Sequence, residues 1–109
     1  MSACGRSEPP AGSPLAGADP ERGRRLMSHY QCGSCHVIPE VQAADGRVGP
    51  SLERYARRSY IAGNLPNAPG TLARWIEAPS SLLPGTAMPD MGAPAPDARD
   101  MAAYLMTLR

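Results

Sequence analysis

The chain has 109 residues, room for one domain, and sets eleven Arg against ten acids with no Lys, so it offers no basic stripe for nucleic acid. No apolar run approaches the roughly 18 residues that a membrane span requires. Leu, Ile and Val number only fifteen and Phe is absent, below the roughly 20% aliphatic floor of ordinary globular chains, yet a net charge of +1 is too small for disorder; a folded form must draw part of its core from elsewhere.

Residues 1–18 read as a tail, because Pro, Ala, Gly and Ser dominate from Ser7 to Ala18 without periodicity. The domain is expected over residues 19–109. Asp19 is a good helix N-cap and Pro20 suits the first helical position, so a helix is predicted over residues 20–30, with Gly23, Leu26, Met27 and Tyr30 on one face. Gly23 lets another helix approach closely. Residues 31–67 read mostly as loop, with a short helix at 51–57 capped by Ser51. A second helix is expected over 69–77, where Leu72, Trp75 and Ile76 share a face and Pro79 forbids continuation. Residues 80–96 read as a Pro/Gly loop, and a last helix over 96–108 carries Ala98, Met101, Ala102, Leu105 and Leu108 inward. No strand pattern survives the Pro and Gly content. The fold class is all-α.

One motif stands out. Cys32-Gly33-Ser34-Cys35-His36 is the spacing of haem c attachment. Each thiol adds across one vinyl group, forming a carbon–sulfur bond, so the two must lie one short turn apart. The next residue, His36, then faces the iron as an axial imidazole. Zinc would need a fourth strong ligand, and neither Cys4 nor His29 is well placed to be one. A thiol redox pair would want a strand before the motif and a helix after it, the reverse of the pattern here. One covalent haem also supplies the missing apolar interior, and it gives the long loop a body to wrap.

Methionine is the sixth ligand suited to electron transfer, since its soft sulfur favours ferrous iron. Met27, Met101 and Met106 belong to predicted helices. Met88 and Met91 both lie in the Pro/Gly loop, and loop mechanics alone leave both open.

The ordered pieces resemble the monohaem class I cytochromes c from Asp19 to Arg109. They are Gly23 with Tyr30, Cys32-Gly33-Ser34-Cys35-His36, Gly49-Pro50-Ser51-Leu52, Leu72 with Trp75-Ile76, Pro84-Gly85-Thr86-Ala87-Met88-Pro89, and Ala103-Tyr104-Leu105. The resemblance implies three to five short helices wrapped around one covalently bound haem c, ligated by His36 and Met88. It implies that the Pro50 carbonyl accepts a hydrogen bond from His36, that Trp75 donates to a haem propionate, and that the first and last helices cross at Gly23. A narrower likeness covers Arg58, Ile61-Ala62-Gly63, Leu65-Pro66-Asn67-Ala68-Pro69 and Leu72-Ala73-Arg74-Trp75-Ile76. It is to the cytochrome c domain of subunit II in caa-type haem-copper oxidases, and it places Arg58 near the propionates. Pro94 and Pro96 depart from the family, which more often has a polar cap there.

Met1-Ser2-Ala3-Cys4-Gly5 resembles the end of a bacterial lipoprotein signal, so Cys4 is expected to carry a lipid that tethers a periplasmic domain to the membrane. No acid/base pair, nucleophile triad or phosphate loop appears, so no substrate turnover is expected; the expected role is electron transfer between redox proteins: a quinol-oxidising complex, a terminal respiratory oxidase or a dehydrogenase. The chain is expected to be a monomer. The competing functions are an electron-entry subunit of a periplasmic dehydrogenase and a ligand-binding haem sensor; the sensor would need an open iron position.

Overall fold

A computed structural model describes residues 12–109. Four helices make the frame: α1 (Pro20–His29), α2 (Pro69–Glu77), α3 (Pro79–Leu82) and α4 (Ala95–Leu105). Two single 3₁₀ turns, Cys32–Ser34 and Tyr55–Arg57, punctuate the long connection between α1 and α2. The fold is all-α, as expected, apart from a two-residue antiparallel ribbon in which β1 (Tyr60–Ile61) pairs with β2 (Leu65–Pro66). Strand patterning over two residues is too short to see in a sequence.

α1 begins as its residues dictate. The Asp19 carboxylate accepts from the backbone N–H groups of Glu21 and Arg22 at 3.0 and 3.1 Å, with Pro20 at the first helical position. The helix crosses α4 at Gly23. A Cβ there would lie 1.9 Å from the Asp100 carbonyl oxygen, so only glycine admits this contact. Charge flanks the crossing. The Arg22 guanidinium donates to Asp97 and Asp100 on α4, each at 2.7 Å, and the Tyr30 hydroxyl donates to Asp97 at 2.7 Å. Asp100 is buried and also accepts from the Asp19 backbone N–H at 2.9 Å. These hydrogen bonds hold the Asp97 carboxyl below its ordinary range, the Tyr30 hydroxyl contributing most and Arg22 next.

α4 turns Ala98, Met101, Ala102 and Leu105 inward, the stripe expected from its periodicity, and they meet Met27, Leu72 and Ile76 in one core. Pro94 precedes the helix without a side-chain cap, and Asp97 supplies the acidic group of the first turn. The helix stops at Leu105 rather than at residue 108. The Leu108 carbonyl instead accepts from the Ala56 backbone N–H at 2.8 Å, which ties the C-terminus to the second 3₁₀ turn.

Three expectations need correction. The helix predicted over residues 51–57 shrinks to Tyr55–Arg57, because Arg54 adopts a left-handed backbone (φ 54°) that no right-handed helix can pass. Pro79 does end α2, but its fixed φ then starts α3, closed by the Leu83 N–H on the Pro79 carbonyl at 3.0 Å. The reading of the whole 1–18 stretch as tail does not hold at its end. Leu15 is only 2% exposed and belongs to the core, while the Arg99 guanidinium donates to the carbonyls of Pro14 and Ala16. One bulky aliphatic residue and one distant cation suffice to dock a segment whose composition suggests a spacer. Cys4 lies outside the described residues.

Candidate haem-binding site

The site begins where α1 ends. Gln31 takes a left-handed conformation (φ 59°) and its N–H bonds the Ser28 carbonyl, which turns the chain sharply into the 3₁₀ turn Cys32–Ser34. The backbone N–H groups of Cys35 and His36 both return to the Cys32 carbonyl, at 3.2 and 3.1 Å. One compact turn therefore presents both thiols and the imidazole.

The following loop folds back over that turn. Gly46 N–H bonds the Gly33 carbonyl at 2.9 Å, Gly49 N–H the Cys35 carbonyl at 2.7 Å, and Leu52 N–H the Val37 carbonyl at 2.8 Å. The helices pin the loop from outside. Arg24 on α1 donates to the Glu40 carbonyl, and the Tyr104 hydroxyl on α4 donates to the Pro39 carbonyl at 2.5 Å. The last contact is invisible in the sequence, where Tyr104 reads only as a helix residue near the crossing.

His36 is fixed by two neighbours. Its Nδ1 lies 2.7 Å from the Pro50 carbonyl oxygen. A prolyl carbonyl can only accept, so Nδ1 carries the proton and Nε2 keeps its lone pair for another partner. Gly49 lies against the ring, and a Cβ there would sit 2.3 Å from the imidazole Cε1. Cys32 is half-buried, and burial pushes its thiol above the ordinary value. A redox-active cysteine needs the opposite shift. Among the described residues no group of three His, Cys, Asp or Glu side chains gathers around a point, which leaves the zinc reading without a ligand set there.

The remaining predicted residues lie on three other elements. Trp75 is 7% exposed on the buried face of α2, and its indole N–H has no acceptor among the described residues. Arg58 is exposed. Its guanidinium donates to the Ser51 carbonyl and lies 5.5 Å from the centre of the Tyr55 ring. Hydrogen bonds thus gather His36, Pro50, Ser51 and Arg58 into one continuous segment. Met88 follows a turn in which Thr86 N–H bonds the Leu83 carbonyl and Gly85 takes φ 84°, the position where a turn started by Pro84 requires glycine. The Met88 side chain is half-buried against the core, whereas Met91 is 39% exposed.

Residues 20–109 match the cytochrome c family profile. The chain belongs to the cytochrome c family. It is also 34% identical over 104 residues to a protein described as cytochrome c2 from Rhodopila globiformis, a match that covers 84% of this chain and 94% of that one.

Cytochromes c carry a covalently attached haem c, and this cytochrome's residues fit one. Two thiols lie one turn apart beside an imidazole whose Nε2 is left free by its neighbour's hydrogen bond. A covalently bound haem would supply a one-electron iron couple; Cys32 and Cys35 would attach it and His36 would offer its Nε2 to the iron. At positions 46 and 49 the wrapping loop has no room for a side chain: a Cβ at Gly46 would strike the Ser34 carbonyl at 2.3 Å. Sequence reasoning gave no role to Asn67, which appears there only within the Leu65-Pro66-Asn67-Ala68-Pro69 likeness just before α2, nor to Tyr104 as the donor to Pro39.

Proposed function

We propose that this cytochrome is a single-electron carrier with His36 and Met88 as the axial donors and Cys32 and Cys35 as the attachment points of haem c. The observation that carries the reading is the 2.7 Å contact from His36 Nδ1 to the Pro50 carbonyl. It orients the ring and leaves Nε2 as a σ donor, so the histidine can hold iron in both redox states. Met88 provides the soft sulfur that favours the ferrous state and closes the sixth position to exogenous ligands. Trp75, through its indole N–H, and Arg58, through the guanidinium donors not used on Ser51, hold the propionates.

The partners we infer are redox proteins, with delivery of electrons to a terminal respiratory oxidase supported by the likeness of residues 58–76 to oxidase-associated cytochrome c domains. A net charge of +1 gives little long-range steering, so docking rests on contact rather than on field. The domain acts in the periplasm, held at the membrane by lipid on Cys4. The test takes the full-length protein matured in a host that attaches haem c. Ferrous protein that ignores CO, a Met-to-iron charge-transfer band when ferric, and rapid oxidation by membranes containing a haem-copper oxidase are expected. Fast CO binding at neutral pH would favour the sensor, and transfer only to a dehydrogenase would favour the entry subunit. Lipid labelling that leaves Cys4 unmodified would remove the tether.

A further inference from the structure

The Asn67 side chain lies outside everything assigned above, yet it makes two hydrogen bonds to one turn. Its Nδ2 donates to the carbonyls of Tyr55 and Arg58, at 3.2 and 3.0 Å, and its backbone N–H donates to Ser59 at 3.0 Å. Carbonyl oxygens only accept, so the amide nitrogen must face the turn and Oδ1 must face away. Oδ1 is buried and is the one such side-chain atom without a partner among the described residues. A buried acceptor left unpaired carries a desolvation cost, and a side chain placed for mere filling would not incur it. The donors are what this position provides.

The turn they hold leads straight to the axial histidine. Arg58 N–H closes on the Tyr55 carbonyl at 3.0 Å, and Arg58 then leaves the turn extended (φ −75°, ψ 143°). That departure sends its guanidinium back to the Ser51 carbonyl. Ser51 supplies the amide of the peptide whose carbonyl, on Pro50, accepts from His36 Nδ1. Holding Ser51 on its far side limits how far the Pro50 carbonyl can swing away from the imidazole.

We propose that Asn67 is a positioning residue for His36, acting through the Arg58–Ser51 hydrogen bond on the Pro50 carbonyl that receives the imidazole proton. The inference rests on His36 being the iron ligand. Looser restraint lengthens the Nδ1–H···O bond, the imidazole donates less electron density, and the ferrous state gains.

The haem-loaded full-length protein is compared with Asn67→Leu, which matches the size of Asn67 but has no donors, with Asn67→Ser, which keeps one, and with Asn64→Leu as a control. Asn64 is an exposed residue of the same ribbon loop whose amide reaches only Ala62. Two readouts are followed beside the melting temperature: the reduction potential, and the exchange rate of the His36 Nδ1 proton by NMR. Asn67→Leu is expected to raise the potential and speed exchange about tenfold, taking as a guide the lower end of the losses in metal affinity or activity when an outer hydrogen bond at a metal site is removed. If Asn67→Leu takes up no haem, Asn67→Ser decides, with a smaller shift in the same two readouts expected. Wild-type potential and exchange in the deciding variant, whatever its melting temperature, would overturn the proposal. So would an equal shift in Asn64→Leu. The low-spin, His-ligated spectrum of the unsubstituted protein tests the ligand reading by itself, separately from any difference between variants.

Discussion

The two sides of the site are built differently. On the histidine side, residues 32–52 form a closed set of hydrogen bonds: the turn onto itself, the loop onto the turn, Arg24 and Tyr104 onto the loop, and His36 onto Pro50. On the methionine side, Met88 is only half-buried and its N–H reaches Thr86 Oγ1 at a long 3.4 Å. That segment is fastened at a distance instead, by Asp90, which accepts from the Ser80 N–H and hydroxyl at the start of α3. His36 is therefore held by the polypeptide itself, whereas Met88 sits on a less bonded strap, which under the proposed ligation would take its last restraint from the iron.

The comparison breaks first if the frame beneath the histidine side is not fixed by backbone contact. Gly23→Val pushes its side chain into the Asp100 carbonyl and is expected to cost more than about 3 kcal/mol, or to prevent folding. Denaturant unfolding of the haem-loaded protein measures it; a wild-type midpoint would contradict the crossing. Leu15→Ala comes next, at about 2–3 kcal/mol, because a fully buried leucine is truncated in a closed core. A change within about 0.5 kcal/mol would return residues 12–18 to the role of spacer.

Met88→Ala sharpens the contrast itself. It is expected to cost about 1–2 kcal/mol in packing, since the side chain is half-buried, while opening the iron to CO and lowering the potential. The His36 Nδ1 proton should exchange as in the parent protein, because nothing on its side of the site has moved. Altered exchange would mean the two sides are coupled.

The smallest expected effect is a pH dependence at the helix crossing. Asp97 is held below its ordinary value by Tyr30 and then Arg22. A depressed carboxyl stabilises the fold above its unfolded-state value of 3.8, and that contribution is lost as pH falls through the folded-state value. Tyr30→Phe removes the largest cause and should lower stability at neutral pH and flatten the acid limb of the melting curve. An unchanged acid limb would assign the acid sensitivity to other carboxylates.

Much of this was readable from the residues in order. Asp19-Pro20 set the start of α1, the Leu72, Trp75 and Ile76 spacing set α2 over Pro69–Glu77, and the Cys32–His36 motif with the later pieces pointed to a cytochrome c. These are local signals: a cap, a period, a covalent chemistry that demands neighbouring atoms. The chain order could not show that Leu15 docks on the core, that Tyr104 holds Pro39, that the Leu108 carbonyl receives the Ala56 N–H, or that Asn67 holds the turn behind Arg58. Each of those depends on partners brought together across long stretches of chain or on a carbonyl left free by a neighbouring turn. Residue order alone was enough to indicate the haem-attachment chemistry and the starts of α1 and α2, though not of α3, which begins at Pro79 where only a helix end was expected. How firmly His36 and Met88 are held became visible in the folded chain alone, because that firmness comes from hydrogen bonds between segments that no local pattern encodes.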